Sequence, residues 1–168
     1  MSSIQFSVKG SEVMRVLVLY DTVSESKMTK QVAESITETL KENGIDVDSF
    51  YVKDIDAAKV KEYGCLIAGA PTMAFRATVG IMDFLNALGE SEFAGIKAAT
   101  FDTQIKAAIT GNAAKGIEKK LEKLGFTIFK EPLVVYVERK DKNLWQFKAG
   151  QVEKTKAWAQ ELAKKLSE

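Results

Sequence analysis

The sequence contains no histidine, which removes His-dependent triads, His-bearing zinc sites and imidazole proton shuttles together. It has a single cysteine, Cys65, so no disulfide can form within the chain. Cys65 sits in the apolar run Cys65-Leu66-Ile67-Ala68 and reads as a small buried hydrophobe rather than a reactive thiol. An excess of one charge is also missing. Lys+Arg at 24 against Asp+Glu at 23 leaves a net charge of +1, which supplies no field for gripping nucleic acid or an anionic membrane. No apolar stretch approaches the roughly 20 residues of a membrane span, and the polar start Met1-Ser2-Ser3-Ile4-Gln5 lacks the basic region and apolar core of a signal peptide. These absences predict a cytoplasmic protein that binds neither nucleic acid nor membrane and whose chemistry, if any, is a cofactor's.

What is present is the alternation of a single α/β domain. The chain has 168 residues, 46% of them apolar, enough for one core. Met14 directly precedes the first strong strand, Arg15 to Leu19, so residues 1–13 read as an N-terminal extension, either a flexible arm or an added edge strand, and 14–168 as the domain. A helix is expected over Thr29 to Glu42, with Val32, Ile36 and Leu40 on one face and Asn43-Gly44 as its stop. Ile45 to Val52 alternates apolar and polar as an edge strand does, and Asp54 to Tyr63 crosses back. Cys65 to Ala70 has no polar residue, as a central parallel strand should read, and is expected to break at Pro71. Ile81, Phe84, Leu85 and Leu88 mark a second helix and Ile96 to Phe101 a fourth strand. Ala114, Ile117, Leu121 and Leu124 mark a third helix, which ends at Gly125. The fifth strand is interrupted by Pro132, which restricts it to an edge or a bulge, and a last helix spans about Gln151 to Leu166. This order predicts a three-layer α/β/α doubly wound fold around a parallel five-stranded sheet with right-handed crossovers.

Three strand-to-helix loops then fall at one end of the sheet, where ligands of such folds bind. The first holds Thr22, Val23, Ser24, Ser26, Lys27, Met28 and Thr29: four hydroxyls and a cation ahead of a helix whose first amides lack intrahelical acceptors. A phosphate suits that arrangement; ordinary capping and turn formation explain the hydroxyls equally well. With no glycine, the loop is neither a dinucleotide fingerprint nor a Walker loop. The second holds Pro71, Thr72, Met73, Ala74, Phe75 and Arg76, and the third Phe101, Asp102, Thr103 and Gln104.

The hydroxyl-rich first loop, Gly69-Ala70-Pro71-Thr72 after a central strand and Phe101-Asp102-Thr103 after the next resemble the three FMN-contacting loops of the flavodoxins. The resemblance covers residues 14–166 and is closest to a prokaryotic, often archaeal branch that shows Asp-Thr-Val-Ser before its first helix. It implies strand order 2-1-3-4-5 and FMN as cofactor. Thr22 to Thr29 would hold the phosphate through backbone amides and hydroxyls. The chain departs from the family here, with Lys27-Met28-Thr29 where a glycine followed by Asn-Thr is usual and a loop about two residues longer. Lys27 is either a compensating charge or a solvated first-turn residue. By the same resemblance Met73 and Phe75 lie against the isoalloxazine ring, their alternative being the core. Arg76 meets a phosphate, a flavin carbonyl or only solvent. The backbone from Phe101 to Gln104 contacts the pyrimidine edge. Asp102 is expected to order its own loop by an Asx turn, because a carboxylate near the ring would repel its reduced, anionic form and lower its potential. Trp158 fits the inner face of the last helix with Leu162, and Trp145 has no assigned place.

The function implied is electron carriage between redox partner proteins, which needs no catalytic residue. The chain's neutrality sits poorly with the strongly acidic carriers of the family. Two alternatives stay open: a flavodoxin-like module without FMN that works as a binding or regulatory protein, and an FMN-dependent quinone or metal reductase.

Overall fold

The computed structural model describes residues 14–89, 92–107 and 111–168; the arm-or-strand question at residues 1–13 lies outside them. β1 (Arg15–Tyr20), β2 (Asp46–Tyr51), β3 (Cys65–Met73), β5 (Lys97–Ile105) and β7 (Leu133–Asp141) form the parallel sheet, in the order β2-β1-β3-β5-β7. Counted as principal strands this is the expected 2-1-3-4-5. α1 (Met28–Glu42) and α4 (Gln151–Leu166) cover one face, and α2 (Val79–Asn86) and α3 (Ala113–Leu124) the other.

The alternation within β1 shows how sequence selects the layers. Val16 and Val18 point to the α1/α4 side with Val32, Ile36, Leu40 and Leu162, whereas Leu17 and Leu19 point to the α2/α3 side with Ile81, Leu85, Ile117 and Leu121. All are at most 1% exposed, and burying each side chain of this size contributes about 1.5–3 kcal/mol. Cys65 is fully buried and desolvation pushes its thiol pKa up to about 12, so it is inert packing. The crossover after β2 uses two short 3-10 turns, Val52–Asp54 and Ala57–Glu62, in place of an α-helix. No described helix is long and apolar enough to cross a membrane.

Three details differ from the sequence expectation. β3 does not break at Pro71 but runs on to Met73, because its pairing with β1 ends at Gly69 while Pro71 faces Thr103 of β5. At Ala70 and Pro71 the side of β3 that β1 leaves has no paired strand, β4 joining only from Thr72, and proline's missing donor costs nothing there. The second segment is therefore a hairpin: Met73 pairs with Arg76 of β4 (Arg76–Ala77) across the two turn residues Ala74 and Phe75. β5 runs on to Ile105, so Asp102, Thr103 and Gln104 are strand residues, not loop. The fifth strand is interrupted before Pro132 as its sequence predicts: it is split into β6 (Thr127–Ile128) and β7, with Phe129 to Pro132 bulging opposite Ala99 and Thr100 of β5. Last, an antiparallel strand, β8 (Leu144–Phe147), pairs with the outer half of β7.

Candidate functional site

The carboxyl ends of β1, β3 and β5 meet in one cleft. It is lined by Thr22, Val23, Ser24, Met28 and Thr29 from the first segment, Pro71, Thr72 and Met73 from the second, and Thr103, Gln104 and Ile105 from the third. Val137 and Trp145 close the β7–β8 side. The structure thus brings the three segments together. Of the residues singled out from sequence, Ser26, Lys27, Ala74, Phe75, Arg76, Phe101 and Asp102 do not line the cleft.

The first segment ends in an open helix terminus. Lys27 stands at the N-cap of α1 in the left-handed region (φ 49°, ψ 51°), where its side chain caps nothing, and no acidic residue lies in the first turn. The first intrahelical bond is Gln31 N–H to Lys27 O, at 3.1 Å. The amides of Met28, Thr29 and Lys30 precede it. Lys27 N–H itself is used, donating to Ser24 O at 3.1 Å and Ser24 Oγ at 3.2 Å, and its side chain is exposed. Ser26 Oγ accepts from the Trp145 amide at 2.9 Å, which ties the loop to β8. Thr29 is 2% exposed and its hydroxyl pairs with Thr103 Oγ1 at 2.8 Å; it braces β5 against α1. At the base of the loop Asp21 accepts from Thr22 N–H at 2.9 Å and from the Thr78 hydroxyl at 2.5 Å, fastening β1 to the start of α2.

The neighbouring α3 is the opposite case. The Ala113 amide donates to Thr72 Oγ1 at 2.9 Å, that of Ala114 to Asp102 Oδ2 at 3.4 Å, and that of Lys115 to Asn112 Oδ1 at 3.0 Å. Asp102 does not form the expected Asx turn: wholly buried, it gathers Thr72 Oγ1 (3.0 Å), Gln104 Nε2 (2.9 Å) and α3 onto one oxygen, while Oδ1 has no partner among the described residues. Desolvation raises its pKa above the usual carboxylate value, against the lowering effect of those donors. Phe101 is equally buried and packs in the core beneath Gly69.

The cleft mouth is apolar. Val23, Met73 and Ile105, which line it, are 55%, 47% and 51% exposed, and Phe75 in the turn after Met73 is 62% exposed, an unusual concentration of large side chains left in water. Ala74 and Phe75 both have positive φ, 48° and 74°. A two-residue hairpin turn of that kind normally takes Asn-Gly, and two residues that carry a Cβ there hold strain of order 1–3 kcal/mol each. Gly111 packs under the Phe75 backbone, so close that a Cβ on it would stand 2.2 Å from the Phe75 carbonyl oxygen, and bridges to it. On the far wall Arg139 stacks its guanidinium 4.8 Å from the centre of the Trp145 ring.

Trp145 is the lining residue that the sequence reading left unplaced. The signal was there in polar Asp141-Lys142-Asn143 followed by alternating Leu144-Trp145-Gln146-Phe147, a hairpin pattern.

No protein-family model matches the sequence, and no curated relative does. Solved structures do. Flavodoxin 2 from Bacillus cereus superposes with a TM-score of 0.76 at 23% identity over 90% of this chain and 99% of its own. A flavodoxin from the domain Archaea gives 0.69 at 19% identity over 92% and 100%, and a Fusobacterium nucleatum flavodoxin bound to flavin mononucleotide gives 0.67 at 17% over 91% and 99%. Sheet order, layering and superposition over 90–92% of the chain agree: this chain has the flavodoxin-like fold.

Proposed function

We propose that the chain binds FMN in this cleft and carries electrons between redox proteins. One observation carries the reading: an uncapped helix N-terminus opens beside an apolar slot, while the adjacent helix has its first amides taken by Thr72, Asp102 and Asn112. An anion is thereby directed to α1 and a flat apolar group to the slot. The complex of the Fusobacterium flavodoxin with FMN supports the choice of ligand.

The donor set fits. The amides of Met28, Thr29 and Lys30 and the Ser24 hydroxyl would hold the phosphate, with Lys27 as an adjacent charge. Met73, Val23, Ile105 and Trp145 supply apolar and polarizable walls for the ring, and the β5 backbone at Thr103 and Gln104 faces its polar edge. FMN, when bound, supplies the redox chemistry. The residues orient it and keep water from its inner side. The cleft measures about 170 Å³, below the roughly 300 Å³ at which pockets begin to enclose a ligand, so a ring seated there keeps an edge at the surface, as transfer between proteins requires. A cofactor-free binding module is the second reading, favoured by the glycine-free loop with Lys27 in the left-handed region.

Fluorescence separates the two. Trp145 lines the cleft, whereas Trp158 is buried on α4 with its indole N–H on Glu131 O at 2.9 Å. Adding FMN is expected to quench tryptophan emission, with Trp145→Phe removing most of the change. Quenching carried wholly by Trp158, or none, would contradict the site. With NAD(P)H alone the bound flavin should keep its colour; bleaching would instead make the protein a reductase.

A further inference from the structure

Beside the ring end of the cleft lie charges that the flavin site does not use. β5 ends at Ile105, and the next residue, Lys106, carries its ammonium 5.5 Å from the centre of the Tyr136 ring. Lys154, in the first turn of α4, places its own ammonium over the same ring at 5.1 Å and donates to the Val134 carbonyl. Two like charges thus share one aromatic, and among the described residues neither is in an ion pair. Lys130 shows the usual arrangement: it also sits over an aromatic, Trp158 at 5.8 Å, but Glu131 and Glu161 hold it at 3.2 and 2.7 Å. Burial lowers the Lys154 pKa, the buried Asp102 carboxylate opposes that shift and the neighbouring Lys106 charge adds to it, so the pair has a carboxylate in the field behind it but none among the described residues in contact with it.

The patch next to it is apolar and unpartnered. Met73, Phe75 and Ile105 are each about half exposed or more. Arg76, cross-strand from Met73, is exposed and also outside any ion pair. Neither 71–78 nor 103–107 contains an acidic residue. An apolar centre flanked by cations of one sign is the anatomy of a protein-docking surface. A free small anion would gain nothing from the apolar centre.

We propose that the Met73, Phe75 and Ile105 patch, with Arg76 on one side and the Lys106–Lys154 pair on the other, docks an acidic protein partner that sets its carboxylates on the lysines. This rests on the flavin reading in one respect: the patch surrounds the edge through which electrons would pass. It also accounts for a neutral chain with a carrier's fold, because complementarity is local and needs no net charge.

The test titrates the full chain, without and with saturating FMN, with a glutamate-rich peptide bearing one central phenylalanine, followed by amide chemical shifts. Shifts are expected at Ile105, Lys106, Tyr136 and Lys154. Lys106→Glu, and separately Lys154→Gln, should weaken binding about tenfold, and raised salt should do the same. A lysine-rich peptide of the same pattern should not bind. FMN affinity of both variants should stay unchanged, which also reports that they fold. Shifts confined to another surface, equal affinity in the variants, or NADPH saturating these shifts while the peptide leaves them unmoved would overturn the proposal. If the peptide maps to the patch and FMN never binds, the docking surface stands and the flavin reading falls.

Discussion

Gly69→Ala is expected to destabilise the fold by about 3 kcal/mol, with a Tm lower by about 6–12 °C. Gly69 lies in β3 between Tyr20 of β1 and Phe101 of β5, and an added Cβ would stand 2.2–2.4 Å from three atoms of the Phe101 ring. That ring is fully buried in the layer holding Ile67, Ala99, Leu133 and Val135. It has no free space to enter, and close-packed interiors accommodate extra volume poorly. Phe101→Leu should cost stability by itself, yet the double variant should lose less than the sum of the two, because the clash is then gone. Chemical denaturation of the four proteins measures this. Strict additivity would show that the ring and the glycine do not meet.

Asp102→Ala is expected to cost a similar amount, about 3 kcal/mol, for a different reason. It strips the shared acceptor from Thr72 Oγ1, Gln104 Nε2 and the Ala114 amide at a buried site. Asp102→Asn retains an oxygen for those donors and removes a buried charge. The two substitutions should therefore separate cleanly. The pH dependence follows from the raised pKa. A carboxyl raised in the folded state binds its proton there more readily than in the unfolded chain, so it contributes stability fully below the ordinary value of 3.8. That contribution is lost as pH rises through the raised folded value. At neutral pH Asp102→Asn should be the more stable protein, and its advantage should shrink on acidification. A gap between Asp102→Asn and the unmodified chain that is constant from about pH 4 to pH 8 would contradict the assignment.

Both residues show what sequence could and could not disclose. The periodicities of Val32, Ile36 and Leu40 and of Ala114, Ile117, Leu121 and Leu124 placed α1 and α3, and apolar runs placed β1 and β3, because these patterns report burial directly. Asp102-Thr103-Gln104 read as loop because three polar residues in a row seldom enter a core. Their partners, Thr72, Thr29 and the α3 terminus, come from distant parts of the chain. Pro71 read as a stop because a single sequence does not show that β1 ends opposite Gly69. Ala74 and Phe75 carry no turn signature at all; a turn there is imposed by the β3–β4 pairing and by Gly111 beneath it. The three cleft segments were found by counting strand ends. Their inner construction was not legible, because it depends on which side chains meet.

That construction also changes which substitutions test the phosphate. Thr29→Ala would break the buried Thr29–Thr103 brace as well as any ligand contact, whereas Ser24→Ala loses an exposed acceptor of Lys27 N–H that the Ser24 carbonyl replaces and Lys27→Ala removes no side-chain cap, so these two are the cleaner changes.

The central claim is that the phosphate of FMN sits on the open N-terminus of α1. The most direct measurement is a pair of titrations of the unmodified chain with FMN and with riboflavin, which has the same ring and no phosphate. Charge-assisted contacts of about 1.5–3 kcal/mol each predict that FMN binds roughly tenfold to hundredfold tighter or better, and that Ser24→Ala and Lys27→Ala narrow this ratio while leaving riboflavin affinity unchanged. Equal affinities for the two flavins would contradict the placement of the phosphate, and no binding of either would leave the cofactor-free module as the account of this cleft.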